Sequence, residues 1–298
     1  MGIVPGIVLL PVFAGVVFNS LLSEVFMDEA QYGRLVELLK RKKNIILQGA
    51  PGVGKTFAAR RLAWSMTGER NPERVQMVQF HQSYSYEDFI AGFRPTEEGG
   101  FRVTDGPFYT FCKRAEEDDG KDYFFIIDEI NRGNLSKIFG ELMMLLESDK
   151  RGEYHKLRLL YKNEKFSVPP NVYLVGTMNT ADRSLALIDY ALRRRFAFVE
   201  LEPGFETSQF KARQNAINES RFSELVNTVK QLNESICGDA SLGAGFRIGH
   251  SYFCTDDKIN GDWLHSVIEY ELIPLLSEYW FDEPDKVNYW AAQLRSVL

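Results

Sequence analysis

The chain of 298 residues is poor in cysteine, lacks any excess of positive charge, and contains no internal repeat or low-complexity segment. Each shortage excludes something. Cys112, Cys237 and Cys254 are odd in number and widely spaced. They fit neither a disulfide framework nor a zinc pattern, and so point to a reducing cytoplasm. A net charge of −6 excludes a broadly basic, nucleic-acid-binding body, although Arg193-Arg194-Arg195 forms a local basic patch. Charge of either sign is missing from residues 2–23, whose run 3–18 is strongly apolar. No basic residue precedes that run, Pro5, Pro11 and glycines interrupt it, and no clean small-residue cleavage site follows. A membrane span and a signal peptide are therefore set aside. Residues 1–22 read as an apolar arm, buried or disordered, or as the remnant of a truncation. The rest of the composition is ordinary, 45% apolar and 26% charged. That is enough for one large domain and a smaller one, each with its own core.

Hydrophobic spacing gives the order of elements. Residues 23–43 have helical spacing and end in Arg41-Lys42-Lys43. Strands are expected at 44–48 and 75–80, with a helix at 55–66 between them that stops near Gly68. Residues 92–108 look like a hairpin around Glu98-Gly99-Gly100, followed by a short helix at 108–117. Tyr123-Phe124-Phe125-Ile126-Ile127 is uninterrupted and apolar, as a central parallel strand covered on both faces must be. An amphipathic helix at 135–146, a second hairpin across 157–168, a buried strand at 172–177, a helix through 185–192 and a strand at 196–201 complete this unit. After Pro203-Gly204 the pattern turns helical, at 210–217, 222–237 and 264–279, with Pro274 expected to kink the last. The division is a 1–22 arm, a 23–203 α/β nucleotide-binding domain and a 204–298 helical lid domain.

The chemistry begins at Gly49-Ala50-Pro51-Gly52-Val53-Gly54-Lys55-Thr56, between an apolar strand and a helix that opens at Phe57. This is the phosphate loop G-x-x-x-x-G-K-T in its strand–loop–helix context. Its glycines let backbone N–H groups close around an anion, and the following helix adds its positive dipole end. Lys55 is expected to bridge the β- and γ-phosphates and Thr56 to ligate Mg²⁺. The candidate nucleotide-binding set runs from Gly49 to Phe57.

Asp128-Glu129 follow the buried strand at Tyr123. Asp128 is placed to hold Mg²⁺, usually through water, and Glu129 to polarise the attacking water. The strand from Val172 ends in Met178-Asn179-Thr180-Ala181-Asp182-Arg183-Ser184. In a doubly wound sheet ligands bind at the carboxyl ends of strands, which directs Asn179 toward the γ-phosphate or the water. Asp182 is equally readable as a helix N-cap and Arg183 as a solvated helix residue. Arg193-Arg194-Arg195 are too many arginines to pair within one domain. They read as a solvated basic turn or as arginine fingers offered to a neighbouring subunit's nucleotide.

These residues carry a resemblance. The phosphate loop, Asp128-Glu129, Asn179, the arginine run and the helical lid resemble AAA+ ring motors. More narrowly, 178–184, 191–196, 78–89 and 248–253 are similar to the McrB family, GTP-hydrolysing motors of modified-cytosine restriction systems. The likeness covers about residues 38–280. It implies an AAA+ P-loop NTPase three-layer αβα domain with a parallel sheet and a small helical lid. It also implies a homo-oligomer, a hexameric ring that hydrolyses GTP with Mg²⁺ at subunit interfaces, and a McrC-type endonuclease partner through which DNA is engaged indirectly. By the resemblance Asn179 and Asp182 shape the water site, while Arg132, Asp189, Arg194, Arg195 and, less directly, Arg183 act on the adjacent subunit's nucleotide. Family members read modified DNA with a separate N-terminal domain, and about 40 residues before the first strand are too few for one. No N-K-x-D guanine reader is present, so GTP rests on the resemblance alone. Two other readings stay open: an ATP-driven, MoxR-like remodeller of proteins, and a nucleotide-gated assembly scaffold. Arg247 is readable either as a pocket residue or as an exposed turn arginine.

Overall fold

The computed structural model describes residues 24–182 and 190–298. Helix α1, Glu29–Lys42, is fixed at its start by a capping box: the Asp28 carboxylate accepts from the Gln31 N–H, and the Gln31 side chain accepts from the Asp28 N–H. Val25 and Phe26 precede the helix rather than belonging to it. Strand β1, Asn44–Gly49, follows directly, and the phosphate loop leads into α2, Lys55–Thr67, which ends on Gly68 in the left-handed conformation.

Strands β2 (Val75–Gln79), β5 (Tyr123–Asp128), β8 (Val172–Asn179) and β9 (Ala197–Glu200) join β1 in one parallel sheet of order β2-β5-β8-β1-β9. Helices cover both faces. Alternation along β5 shows this directly, since Phe124 and Ile126 enter one core with Ile45, Leu47 and Ala59. Phe125 and Ile127 enter the opposite core with Phe89, Phe108 and Phe139. All four are fully buried, each stabilising by roughly 1.5–3 kcal/mol relative to exposure. The expected first hairpin is β3 (Ala91–Pro95) with β4 (Phe101–Asp105). The second is only β6 (Leu157–Arg158) with β7 (Lys165–Phe166), shorter than the apolar pattern suggested.

Three helices depart from their expected form. The helix expected at 135–146 is α-helical only over Leu135–Phe139 and 3₁₀ over Gly140–Leu146, because Gly140 takes φ +50° and ends the α register. The helix through 264–279 is α over Gly261–Val267, π over Ile268–Leu272 and α again over Ile273–Tyr279. Pro274 cannot donate a backbone bond, and the π turn directly before it absorbs the mismatch. The helix through 185–192 lies mostly outside the described residues. Its described part, Tyr190–Arg195, carries the three arginines on helix, not on a turn.

Ser208–Ile217, Ser220–Gly238 and a helix the periodicity did not flag, Pro284–Arg295, surround a separate apolar core that includes Phe222, Leu225, Val229, Leu264, Ile268 and Trp280. Among the described residues no helix is long and apolar enough to cross a membrane.

Candidate functional site: a phosphate loop facing paired carboxylates

The carboxyl ends of β1, β5 and β8 are neighbours in the sheet, so the residues that follow them converge. Gly52 and Gly54 hold φ near +75°, a region glycine enters without steric cost. Gly54 is also the N-cap of α2 with no side-chain capping bond, so the first amides of that helix remain available to an anion. The Lys55 ammonium donates to the carbonyls of Gly49 (3.0 Å) and Ala50 (2.8 Å) and to Asn179 Oδ1 (2.6 Å). Burial pulls its pKa down to about 8 against the pull of Glu129, Asp128 and Asp182.

Asp128 Oδ1 accepts from the hydroxyls of Thr56 and Thr177, each at 2.6 Å. Thr177 Oγ1 also accepts from the Glu129 N–H at 3.2 Å. Glu129 stands at φ +52°, uncommon for a side chain of its size, and its carboxylate accepts from Asn179 Nδ2 at 2.6 Å. Burial raises its pKa, while Arg132 lowers it. Arg132 lies 3.3 Å from Glu129 Oε2 and 3.2 Å from Asp182 Oδ2, so it ties the two acids together. Lys55, Thr56, Asp128, Glu129, Arg132, Asn179 and Asp182 therefore form one connected network. A Thr hydroxyl and a carboxylate 2.6 Å apart are hard oxygen donors of the kind Mg²⁺ takes when phosphates and waters supply its other ligands.

The arginine helix lies elsewhere. Asn44, at the start of β1, donates from Nδ2 to the Arg195 carbonyl at 2.9 Å. Arg195 thus sits at the amino edge of the sheet, a six-residue strand away from the phosphate loop, about 16–20 Å at the usual rise per residue. The expectation that these arginines could not pair within the domain fails in part. Arg194 and Arg195 both reach Glu147 Oε1, at 2.8 and 3.0 Å, and Arg193 lies over the Phe198 ring. Arg194 nevertheless keeps 74% of its side chain exposed. Arg183 and Asp189 lie outside the described residues. Arg247 is bound by Glu200 and Glu202 at 3.4 and 3.5 Å.

On the other flank of the loop a cavity of about 1210 Å³ opens between the segment before α1, the start of α2 and the helical unit. Val53, Gly54, Phe57, Met27, Gly204 and His250 are among its walls. The lid is bonded to the loop itself, because Gly249 N–H donates to the Pro51 carbonyl (3.0 Å) and Ser251 N–H to that of Gly52 (2.8 Å). A Cβ on Gly249 would fall into the Gly52 carbonyl.

Residues 44–196 match the family model of the AAA domain (dynein-related subfamily). The chain belongs to the AAA family. Residues 224–288 match the alpha-helical lid domain of McrB, so the AAA domain and its lid together account for most of the described chain. The chain is 55% identical over 283 residues to the type IV methyl-directed restriction enzyme EcoKMcrB subunit of Escherichia coli (strain K12). That alignment covers 92% of this chain and 61% of the relative, so the AAA chain spans less than two thirds of that protein's length. It is 26% identical over 302 residues to the type II restriction enzyme BsuMI component YdiS of Bacillus subtilis (strain 168), covering 86% of this chain and 84% of the other.

Some site residues of this AAA domain escaped the sequence. Thr177 stands two residues before Asn179 and so shares its face of β8, a period-two signal hidden inside an apolar strand. Glu147 gave no signal of its own, because its partners lie far along the chain, and Gly249 and His250 stood out only as part of the 248–253 likeness, without a role.

Proposed function

We propose that this chain is the nucleotide-driven motor of a modified-DNA restriction system, hydrolysing GTP to GDP and phosphate at the interfaces of a homo-oligomeric, hexameric ring. A McrC-type endonuclease subunit is its partner, and DNA is engaged through the complex. The observation that carries the reading is the pair of separated halves: the Lys55–Asn179–Glu129–Asp128–Thr56 network at the carboxyl edge of the sheet, and the arginine helix at the opposite edge, out of reach of its own phosphate loop. Such a chain completes its site only with a neighbour. The restriction context is supported by the relatives' names, and the preference for GTP by the motif likeness alone.

In this reading the amides of residues 49–57 and the Lys55 ammonium hold the β- and γ-phosphates. Thr56 and Asp128 would hold Mg²⁺, which when bound neutralises phosphate charge and orients the oxygens. Asn179 and Glu129 position the attacking water. In this reading the Glu129 carboxylate, its pKa raised by burial, accepts the water's proton as attack proceeds. Asp182 and Arg132 keep that carboxylate oriented. Arg194 and Arg195, with Arg183 as a further member, meet the charge of the departing phosphate on the adjacent subunit, and Asp189 acts at that interface as an acceptor. Arg132, expected to join them, is instead held by Glu129 and Asp182 of its own chain.

The test is initial turnover of GTP and ATP side by side, with and without the McrC-type subunit. Preference for GTP with stimulation by that subunit supports the motor. ATP preference indifferent to the nuclease would replace it with a MoxR-like remodeller of proteins, and tight binding without turnover in either condition with a nucleotide-gated scaffold.

A further inference from the structure

His250 occupies the point where lid, hinge and phosphate loop meet. It is a buried polar residue, 6% exposed. Its ring is walled edge-on by Phe26 at 4.6 Å and more distantly by Phe205 and Phe210. Nδ1 accepts the Gly204 N–H at 2.8 Å. A neutral imidazole that accepts at one nitrogen carries its proton on the other, so this bond assigns the hydrogen to Nε2. Burial holds the ring's pKa at about 4, which keeps it neutral at physiological pH. Among the described residues nothing accepts from Nε2. That atom is instead the nearest neighbour on the open side of Gly54, 3.8 Å from where a Cβ would stand, and the ring lines the 1210 Å³ cavity.

The His250 side chain is nine-tenths buried, and its Nε2–H, with no acceptor among the described residues, opens on a cavity beside a phosphate loop, where a ligand oxygen would take the place of water. We propose that the Nε2–H of His250 is a nucleotide-binding donor supplied by the lid, directed at an oxygen on the nucleoside side of the β-phosphate, either a ribose hydroxyl or an α-phosphate oxygen. Because Nδ1 is tied to Gly204 and the flanking Gly249 and Ser251 amides are tied to Pro51 and Gly52, this donor has one orientation. Nucleotide bound there is gripped by loop and lid together. The inference rests on the reading of the loop as a nucleotide site and adds a residue to it.

The experiment is calorimetric titration of the chain with GDP and, separately, with inorganic pyrophosphate, which fills the loop but carries no ribose. His250→Asn keeps an acceptor near Nδ1 for Gly204 but removes the Nε2 donor, whereas His250→Gln places an amide N–H near the Nε2 position. Expected results are about a tenfold loss of GDP affinity in His250→Asn, the size of one hydrogen bond to an anionic or hydroxyl oxygen. Most of the GDP affinity should return in His250→Gln, and pyrophosphate affinity should be unchanged where the acceptor is a ribose hydroxyl and reduced in parallel where it is an α-phosphate oxygen. With 2′,3′-dideoxy-GDP, equal binding by wild type and His250→Asn assigns the acceptor to the ribose. A persisting tenfold gap assigns it to the α-phosphate. GDP binding by His250→Asn equal to wild type, or a loss for pyrophosphate when the dideoxy nucleotide has assigned the acceptor to the ribose, overturns the proposal. Failure of the wild-type chain to bind either GDP or ADP overturns the nucleotide reading beneath it.

Discussion

At the residue scale, Lys55, Glu129 and His250 are titratable groups at the loop that burial has pushed from their ordinary state. Glu129 is held by Asn179, Arg132 and a left-handed backbone, an arrangement that binding alone would not require. Glu129→Gln keeps the shape and the Asn179 contact but removes the base. Nucleotide affinity should stay within a few-fold of wild type while turnover falls by about 10²–10⁴, measured by equilibrium binding beside phosphate release. His250 gives a second expectation, in stability. Its folded pKa of about 4 lies below the unfolded value near 6.5, so the unfolded state takes up the proton first on acidification. Its contribution is therefore fully present above about pH 6.5 and is lost as pH falls through about 4, to a limit on the order of 3 kcal/mol. Urea unfolding between pH 7 and pH 4 should show that decline, and His250→Asn should flatten it.

At the element scale, the chain spends glycines and buried polar groups where elements cross. The lid segment runs against the phosphate loop at Gly249 and Gly52 with no room for a Cβ. Gly249→Ala should separate lid from loop and lower both thermal stability and GDP affinity, the latter by tenfold or more. At the opposite edge Arg151, 7% exposed, has no carboxylate partner among the described residues. It donates to the carbonyls of Leu146 and Val172 and to Asn44 Oδ1. Burial draws its pKa to about 10. Asn44 in turn bonds the carbonyls of Leu146 and Arg195, so one buried cation props the start of β1, the turn carrying Glu147 and the arginine helix. Arg151→Leu leaves those acceptors unsatisfied and should cost about 3 kcal/mol in urea unfolding. This network was not legible from the sequence, because its partners are up to 151 residues apart. The strands and phosphate loop were legible, since apolar alternation and a short motif are local signals. The break at Gly140 and the π turn before Pro274 were less so, because a periodic pattern persists through a change of helix type.

At the scale of the whole molecule, the sheet separates the two halves of the chemistry. The phosphate loop, Asp128, Glu129 and Asn179 were readable together because each ends a strand of one parallel sheet, and the topology brings such ends to one edge. The arginine run was readable as a cluster but not in its placement, which depends on Glu147 and Asn44 anchoring it at the other edge. Glu147 also shows that these arginines have a partner within the chain, from which the proposed assembly would require them to turn. The measurement that tests the composite site most directly is turnover in mixtures of two variants, Lys55→Ala, which disables the loop, and Arg194→Ala with Arg195→Ala, which disables the fingers. Each should be nearly inactive alone, and mixing should restore a substantial fraction of activity, because some interfaces pair an intact loop with intact arginines. Full turnover by the arginine variant alone, or no recovery on mixing variants that still co-assemble, would contradict the account.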